Sequence, residues 1–241
     1  MSNPQLENAA LTAARSEPRI GPGFHADRLE IDDRGALTVE AEVDSVAQKR
    51  LALERMAALP GVAGIIDRIR VRPAIPMADG GIMDELRRRF AEDASFENLA
   101  VKEARLGRLE PVRDAVGKPA GTIELEVADG VVTLNGSAPS LASKRLAGVL
   151  AWWVPGVRDV VNGMAVDPPE EDAPILIEEA VKLALEQDPF LNASQIRVGV
   201  RHAVVRLTGL VKSERAREAA EADAWAVFGV DDVINEIEVG A

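Results

Sequence analysis

The feature that most constrains this chain is an internal repeat carried three times in fixed register. Leu37 to Val71, Val132 to Val166 and Val205 to Val239 align without a gap. Ala41 to Gly61, Gly136 to Gly156 and Gly209 to Gly229 each span 20 residues, so one set of element and loop lengths recurs. Self-similarity of this kind means copies of one supersecondary unit. Each copy opens with apolar alternation, such as Val132 and Leu134 before Gly136 or Val205 and Leu207 before Gly209, which is the period of a half-buried central strand. Ser45, Ser140 and Ser213 then mark the start of an amphipathic helix. Pro60-Gly61-Val62, Pro155-Gly156-Val157 and Phe228-Gly229-Val230 stop it, the glycine being expected to supply a positive-φ cap. A Val- and Ile-rich run closes each copy as a second strand.

Upstream of the third copy, Ile175 to Gln187 reads as a helix, Asp188-Pro189 as its stop and Ile196 to Val200 as a strand before a turn at His202. The full module is therefore αββαβ. The second copy supplies Ile82 to Asp93 as leading helix and Thr122 to Val127 as leading strand, with Asp129-Gly130 as the hairpin turn. Between them, residues near Phe96 to Ala120 are extra and contain Pro111, Gly117 and Pro119, the composition of a surface excursion. The first copy has Leu6 to Ala14 and Arg28 to Ile31, joined by Pro18 and Gly21-Pro22-Gly23, and is the most degenerate. The expectation is an α+β chain of three tandem modules, each a small mixed sheet with two helices packed on it. They cover residues 1–73, 80–168 (with the insertion near 96–120) and 173–241.

Composition narrows the function. Hydrophobic residues make up 47% of the 241, but aromatics only 3% and Tyr is absent, so Ala, Val, Leu and Ile must fill the cores. Lys and Arg number 28 against 40 Asp and Glu, and a net charge of −12 repels phosphate backbones. Nucleic acid is not an expected partner. Without Cys there are no disulfides, thiolate ligands or thiol nucleophiles. No stretch approaches the ~20 apolar residues of a membrane span, and Met1 to Arg15 lacks a basic segment followed by an apolar one. A cytoplasmic location is expected, with the periplasm as the alternative. His25 and His202 stand apart from other ligand types, and Glu170-Glu171-Asp172, Glu178-Glu179 and Asp231-Asp232 lack calcium-loop spacing and read as solvated faces. With no nucleophile elbow, His-paired nucleophile or phosphate-cradling loop, neither an enzyme nor a cofactor is expected.

A strand ending in Gly, a Ser-initiated helix, a Pro-Gly-Val turn and a closing strand with Asn together resemble the BON domain, the bacterial osmotic-stress and nodulation module. The resemblance is carried by Val132, Leu134, Gly136, Pro155, Gly156, Val157, Val160, Asn162 and Val166, and by Val205, Leu207, Gly209, Gly229, Val230, Val233, Asn235 and Val239. The first copy departs from it with Ala41 at the strand glycine and Asp67 at the asparagine, and the third has Phe228 for the proline. The resemblance implies a non-enzymatic, stress-related binding or scaffold protein whose partner is a phospholipid surface, a monovalent cation or another protein. The alternative it implies is a cytoplasmic potassium-responsive binding protein.

The candidate ligand-binding residues each carry two readings. Gly136 and Gly209 either line a ligand turn or let two backbones approach closely. Asn162 and Asn235 either offer amides to a ligand or satisfy a neighbouring backbone group. Trp152 and Trp225 fall at one repeat position, 16 residues after Gly136 and Gly209, to the side of the faces formed by Leu146, Val149 and Trp153 or by Ala219, Ala222 and Ala226. There they either pack between modules or anchor to a partner or lipid interface, where Lys144 and Arg145 are the basic neighbours. Arg87, Arg88 and Arg89 either clamp an anionic headgroup or solvate a helix.

Overall fold

The computed structural model describes residues 3–240. They form two compact units, one up to Arg72 and one from Pro73 onward.

The first unit runs α1 (Pro4–Arg15), β1 (Ala26–Ile31), β2 (Ala36–Val43), α2 (Val46–Ala57) and β3 (Gly64–Val71). Its three-stranded sheet has β2 at the centre, antiparallel to β1 and parallel to β3. Alternation on β2 places Leu37, Val39, Ala41 and Val43 inward. The parallel β2–β3 pair needs a crossover, and α2 is that crossover.

The second unit continues with α3 (Asp79–Glu92), β4 (Leu99–Arg105), β5 (Arg108–Arg113), β6 (Gly121–Ala128), β7 (Val131–Ala138), α4 (Leu141–Trp152), β8 (Asp159–Asn162) and β9 (Ala165–Val166). It ends with α5 (Pro174–Gln187), β10 (Ile196–Arg201), β11 (Val204–Val211), α6 (Glu214–Ala226) and β12 (Asp232–Val239). Here β6, β7 and β8 repeat the β1-β2-β3 arrangement, as do β10, β11 and β12. The αββαβ order therefore recurs, interrupted after α3 in the second copy by β4 and β5. Ser45, Ser140 and Ser213 cap the three crossover helices by accepting from the backbone N–H three residues on, at 3.2, 3.1 and 3.2 Å. Gly61, Gly156 and Gly229 have φ of 98°, 86° and 92°, yet they shape the loop to the next strand. The helix C-caps are Ala58, Trp153 and Val227, none with positive φ.

Two expectations need correction. The extra residues near 96–120 are not a surface excursion: they hold β4 and β5, which extend the second sheet to the order β5-β4-β6-β7-β8. β4 lies parallel on the edge of β6, with Leu99 and Val101 fully buried. Arg113 on β5 fastens this addition by donating to the carbonyls of Ala91 and Leu99, at 3.0 and 2.8 Å, and to that of Phe96. The apolar face of α6 is also rotated by one residue from the expected one: Ala222 is exposed, whereas Ala220, Asp223, Ala224 and Val227 are buried.

Candidate functional site

The recurring signature residues hold each module together. The Asn162 amide donates to the Lys144 carbonyl at 2.7 Å and its oxygen accepts from the Met164 N–H at 3.3 Å. In the third copy the Asn235 amide donates to the Arg217 carbonyl at 3.0 Å and to Glu221 at 3.1 Å, while accepting from the Ile237 N–H at 3.2 Å. Both tie the closing strand to the crossover helix. In the first unit Asp67 accepts from the Ile69 N–H at 2.8 Å, but a carboxylate cannot donate to the helix. Lys49, at the repeat position of Lys144 and Arg217, supplies the missing donor. Its ammonium, buried at 6% exposure, meets Asp67 at 2.6 Å and the Ile69 carbonyl at 2.7 Å.

Gly136 and Gly209 have φ of 98° and 140°, and a Cβ at either would overlap a backbone carbonyl, that of Thr122 or Gln195. These glycines are where the hairpin strands come too close for a side chain.

The basic cluster on α3 is internally engaged. Arg87 pairs with Asp84 and with Glu103, the latter an inward carboxylate of β4 at 7% exposure. Arg88 spans Glu85 and Glu92, at 2.5 and 3.1 Å, and its hydrogen bond holds the Glu85 carboxyl below the ordinary range. Arg89 lies 5.8 Å from the centre of the Trp153 ring. The structure thus does not gather Arg87 to Arg89 around a common anion.

Trp225, on α6, is 1% exposed and so is not open to a partner or a lipid interface. Trp152 is partly buried against the core of the second module. The helix that carries Trp152, α4, is covered on two sides. Ala147, Leu150, Ala151 and Val154 join the core over β4, β6 and β7. Ala142, Arg145, Val149 and Trp153, at i, i+3, i+7 and i+11, form a second stripe that meets α5 and α6.

This junction holds the charged groups least expected of a surface protein. Arg145 is 1% exposed, not a basic surface neighbour. Its Nη2 donates to both oxygens of Asp172, at 2.7 and 2.6 Å, and its Nε to the Phe228 carbonyl at 2.8 Å. Asp172 and Glu170 are therefore not a purely solvated run, since Glu170 also accepts from the Leu141 N–H at 2.7 Å and so holds the start of α4. Two turns along α4, the Trp153 indole N–H donates to Asp223 at 2.8 Å. Asp223 is 4% exposed and lies within hydrogen-bonding reach of Asp188, the C-cap of α5. Burial, and next the Asp188 charge, push the Asp223 carboxyl up to about 8. Local pattern carries no signal for these pairs, which join residues 27, 70 and 83 apart.

Elsewhere, the first unit has an open cleft of about 470 Å³ beside Phe24, His25 and Gln48, with Arg72 bound across it to Glu42 and Asp44. Among the described residues, no group of three or more His, Cys, Asp or Glu side chains is placed to hold a metal ion. No helix among them is long and apolar enough to cross a membrane.

Small α+β units whose closing strand is tied to the crossover helix by a polar side chain recur along the chain. The BON domain matches residues 111–168 and 176–241, just over half of the chain, and the chain belongs to that family. The family is generally non-catalytic and points to a binding or scaffold role. The residues before 111 lie outside both matches. No curated protein matches the chain at a significant level. Two solved structures of CdsD, a structural protein of the type III secretion system of Chlamydia trachomatis, are similar to it. One, of the C-terminal domain, has 13% identity over 100% of both chains at a TM-score of 0.25. The other has 14% identity over 98% of this chain and 92% of that one, also at 0.25.

Proposed function

We propose that the chain is a stress-related, cytoplasmic scaffold of three BON modules, in which the second and third act as one body to hold a protein partner. The observation that carries this is the buried junction of α4, α5 and α6, where Arg145 and Trp153 of one module bond directly to residues of the next. A junction of that kind fixes a composite surface larger than either module offers. Membership of the first unit in the repeat is supported by the Lys49–Asp67 pair, which rebuilds the tether of Asn162 and Asn235 with different chemistry.

A protein partner is favoured over a phospholipid surface because the groups a headgroup would need are already engaged. Arg87 and Arg88 are paired with carboxylates, and Trp225 is buried. The test compares the full chain with Asp172→Ala, which loosens the junction. Anionic vesicles, and potassium against sodium in a thermal-shift series, are the competing arms. The scaffold reading expects a bound protein that Asp172→Ala loses, with no vesicle co-sedimentation. A stabilisation by potassium that sodium does not reproduce would replace it with the ion-responsive reading.

A further inference from the structure

We propose that Asp188 and Asp223 share one proton, and that this proton is a latch: the junction of α4, α5 and α6 is closed while the pair holds it and loosens when it leaves. The argument begins from hydrogen-bond accounting. The Oδ1 of Asp223 accepts from the Trp153 indole at 2.8 Å. Its Oδ2 is buried and, taken as an ionised oxygen, has no hydrogen-bond partner among the described residues. An ionised carboxylate only accepts, so that oxygen is stranded next to a second carboxylate. One of the Asp188 oxygens is committed as an acceptor, taking the Phe190 N–H at 2.8 Å. A proton on Oδ2 of Asp223, donated to Asp188, satisfies every group at once. Both carboxyls are nearly inaccessible, 4% exposed for Asp223 and 9% for Asp188.

Among the described residues no cation pairs with either carboxyl to take the proton's place. From α4 the group facing Asp223 is the neutral indole of Trp153. Arg89 of α3 lies on that ring, with Glu85 3.7 Å from its guanidinium. From α5 the facing group is Asp188, and Gln187 beside it bonds to Ser95 at 2.6 Å. On α6, Arg215 lies over the Phe190 ring at 5.5 Å. Arg145 is two turns away on α4 and is occupied by Asp172. Loss of the proton to solvent therefore leaves two negative charges side by side in a poorly hydrated junction, a configuration that two carboxylates avoid. The high proton affinity of Asp223 agrees with this arrangement.

The test is hydrogen exchange of the full chain, read over residues 141–153 and 214–226 at pH 6.5 and pH 9 and corrected for intrinsic rates, for the native protein and for Asp223→Asn. The asparagine keeps an oxygen for Trp153 and presents an N–H to Asp188, so it is a permanently closed latch. The expected result is at least tenfold faster corrected exchange at pH 9 in the native protein and little change in Asp223→Asn. Equal protection of the native protein at both pH values, or the same loss in the variant, would overturn the proposal. Carboxyl carbon NMR of the native chain supplies a reading that needs no variant: one carboxyl of the pair must stay protonated through neutral pH, and titration of both below pH 5 would refute it. Partner capture at pH 6.5 tests the scaffold reading separately, because the latch is closed there.

Discussion

Removing Asp172 is expected to destabilise the unit from Pro73 onward more than removing Arg145, although Asp172 is the more exposed partner. In Asp172→Ala the guanidinium of Arg145 keeps only the Phe228 carbonyl, and its Nη1 already has no hydrogen-bond partner among the described residues. A charge stranded at 1% exposure costs about 3–5 kcal/mol in a closed site. Because the Asp172 side chain is 54% exposed, water reaches that side of the pair and reduces the cost to roughly 2–3 kcal/mol. Arg145→Met removes the charge that had to be desolvated and lets Asp172 hydrate. It loses the bond to Phe228 and costs about 1 kcal/mol. At roughly 2–4 °C per kcal/mol for a unit of this size, Asp172→Ala lowers the melting temperature by about 5–10 °C, and the double variant returns to the level of Arg145→Met. Calorimetry on the four proteins measures the cycle. A larger loss for Arg145→Met than for Asp172→Ala would refute the reasoning, since the pair would then be a net source of stability.

Four further outcomes are expected. Gly136→Ala and Gly209→Ala each cost about 3 kcal/mol or more, from positive φ together with overlap on a carbonyl, whereas Ala41→Gly costs about 1 kcal/mol; urea denaturation separates them. Lys49→Met destabilises the first unit by about 2 kcal/mol, and adding Asp67→Asn restores more than half, because the amide can then donate to the helix as Asn162 does. Leu106→Gly stabilises by about 1 kcal/mol, since Leu106 is 96% exposed at φ 51° and loses nothing but strain. For pH, Asp223 binds its proton more tightly folded than unfolded, so its contribution is complete below about pH 4 and is lost as pH rises to about 8. That amounts to on the order of 5 kcal/mol over the interval, and Asp223→Asn removes this part of the slope in melting temperature measured against pH.

The sequence was most informative where register repeats. Equal spacing from Gly136 and Gly209 to their partners, with serine caps at one position, placed the crossover helices and central strands, because strand period and capping are local properties. The β4–β5 pair stayed hidden because its alternation is broken by an inward Glu103, whose counter-charge Arg87 is 16 residues away. The rotated face of α6 was hidden for a different reason: an alanine-rich helix offers little hydrophobic contrast between Ala219, Ala220, Ala222 and Ala224. The junction was least legible. Arg145, Asp188 and Asp223 look like ordinary surface charges, and only the packing of α4 on its own sheet and against α5 and α6 makes them interior groups, with Asp172 as the exposed partner at the rim.

The double-sided burial of α4 bears on how this chain can be cut. A fragment ending between the two matched segments, near residue 170, leaves Ala142, Val149 and Trp153 facing water along with the arginine that α6 and the linker had covered. Such a piece would carry an apolar stripe and be drawn into aggregates. Gene boundaries that respect the repeat would thus break the folded object. The last two copies must therefore be expressed as one block, and substitutions in α4 are answerable to residues more than 80 positions away.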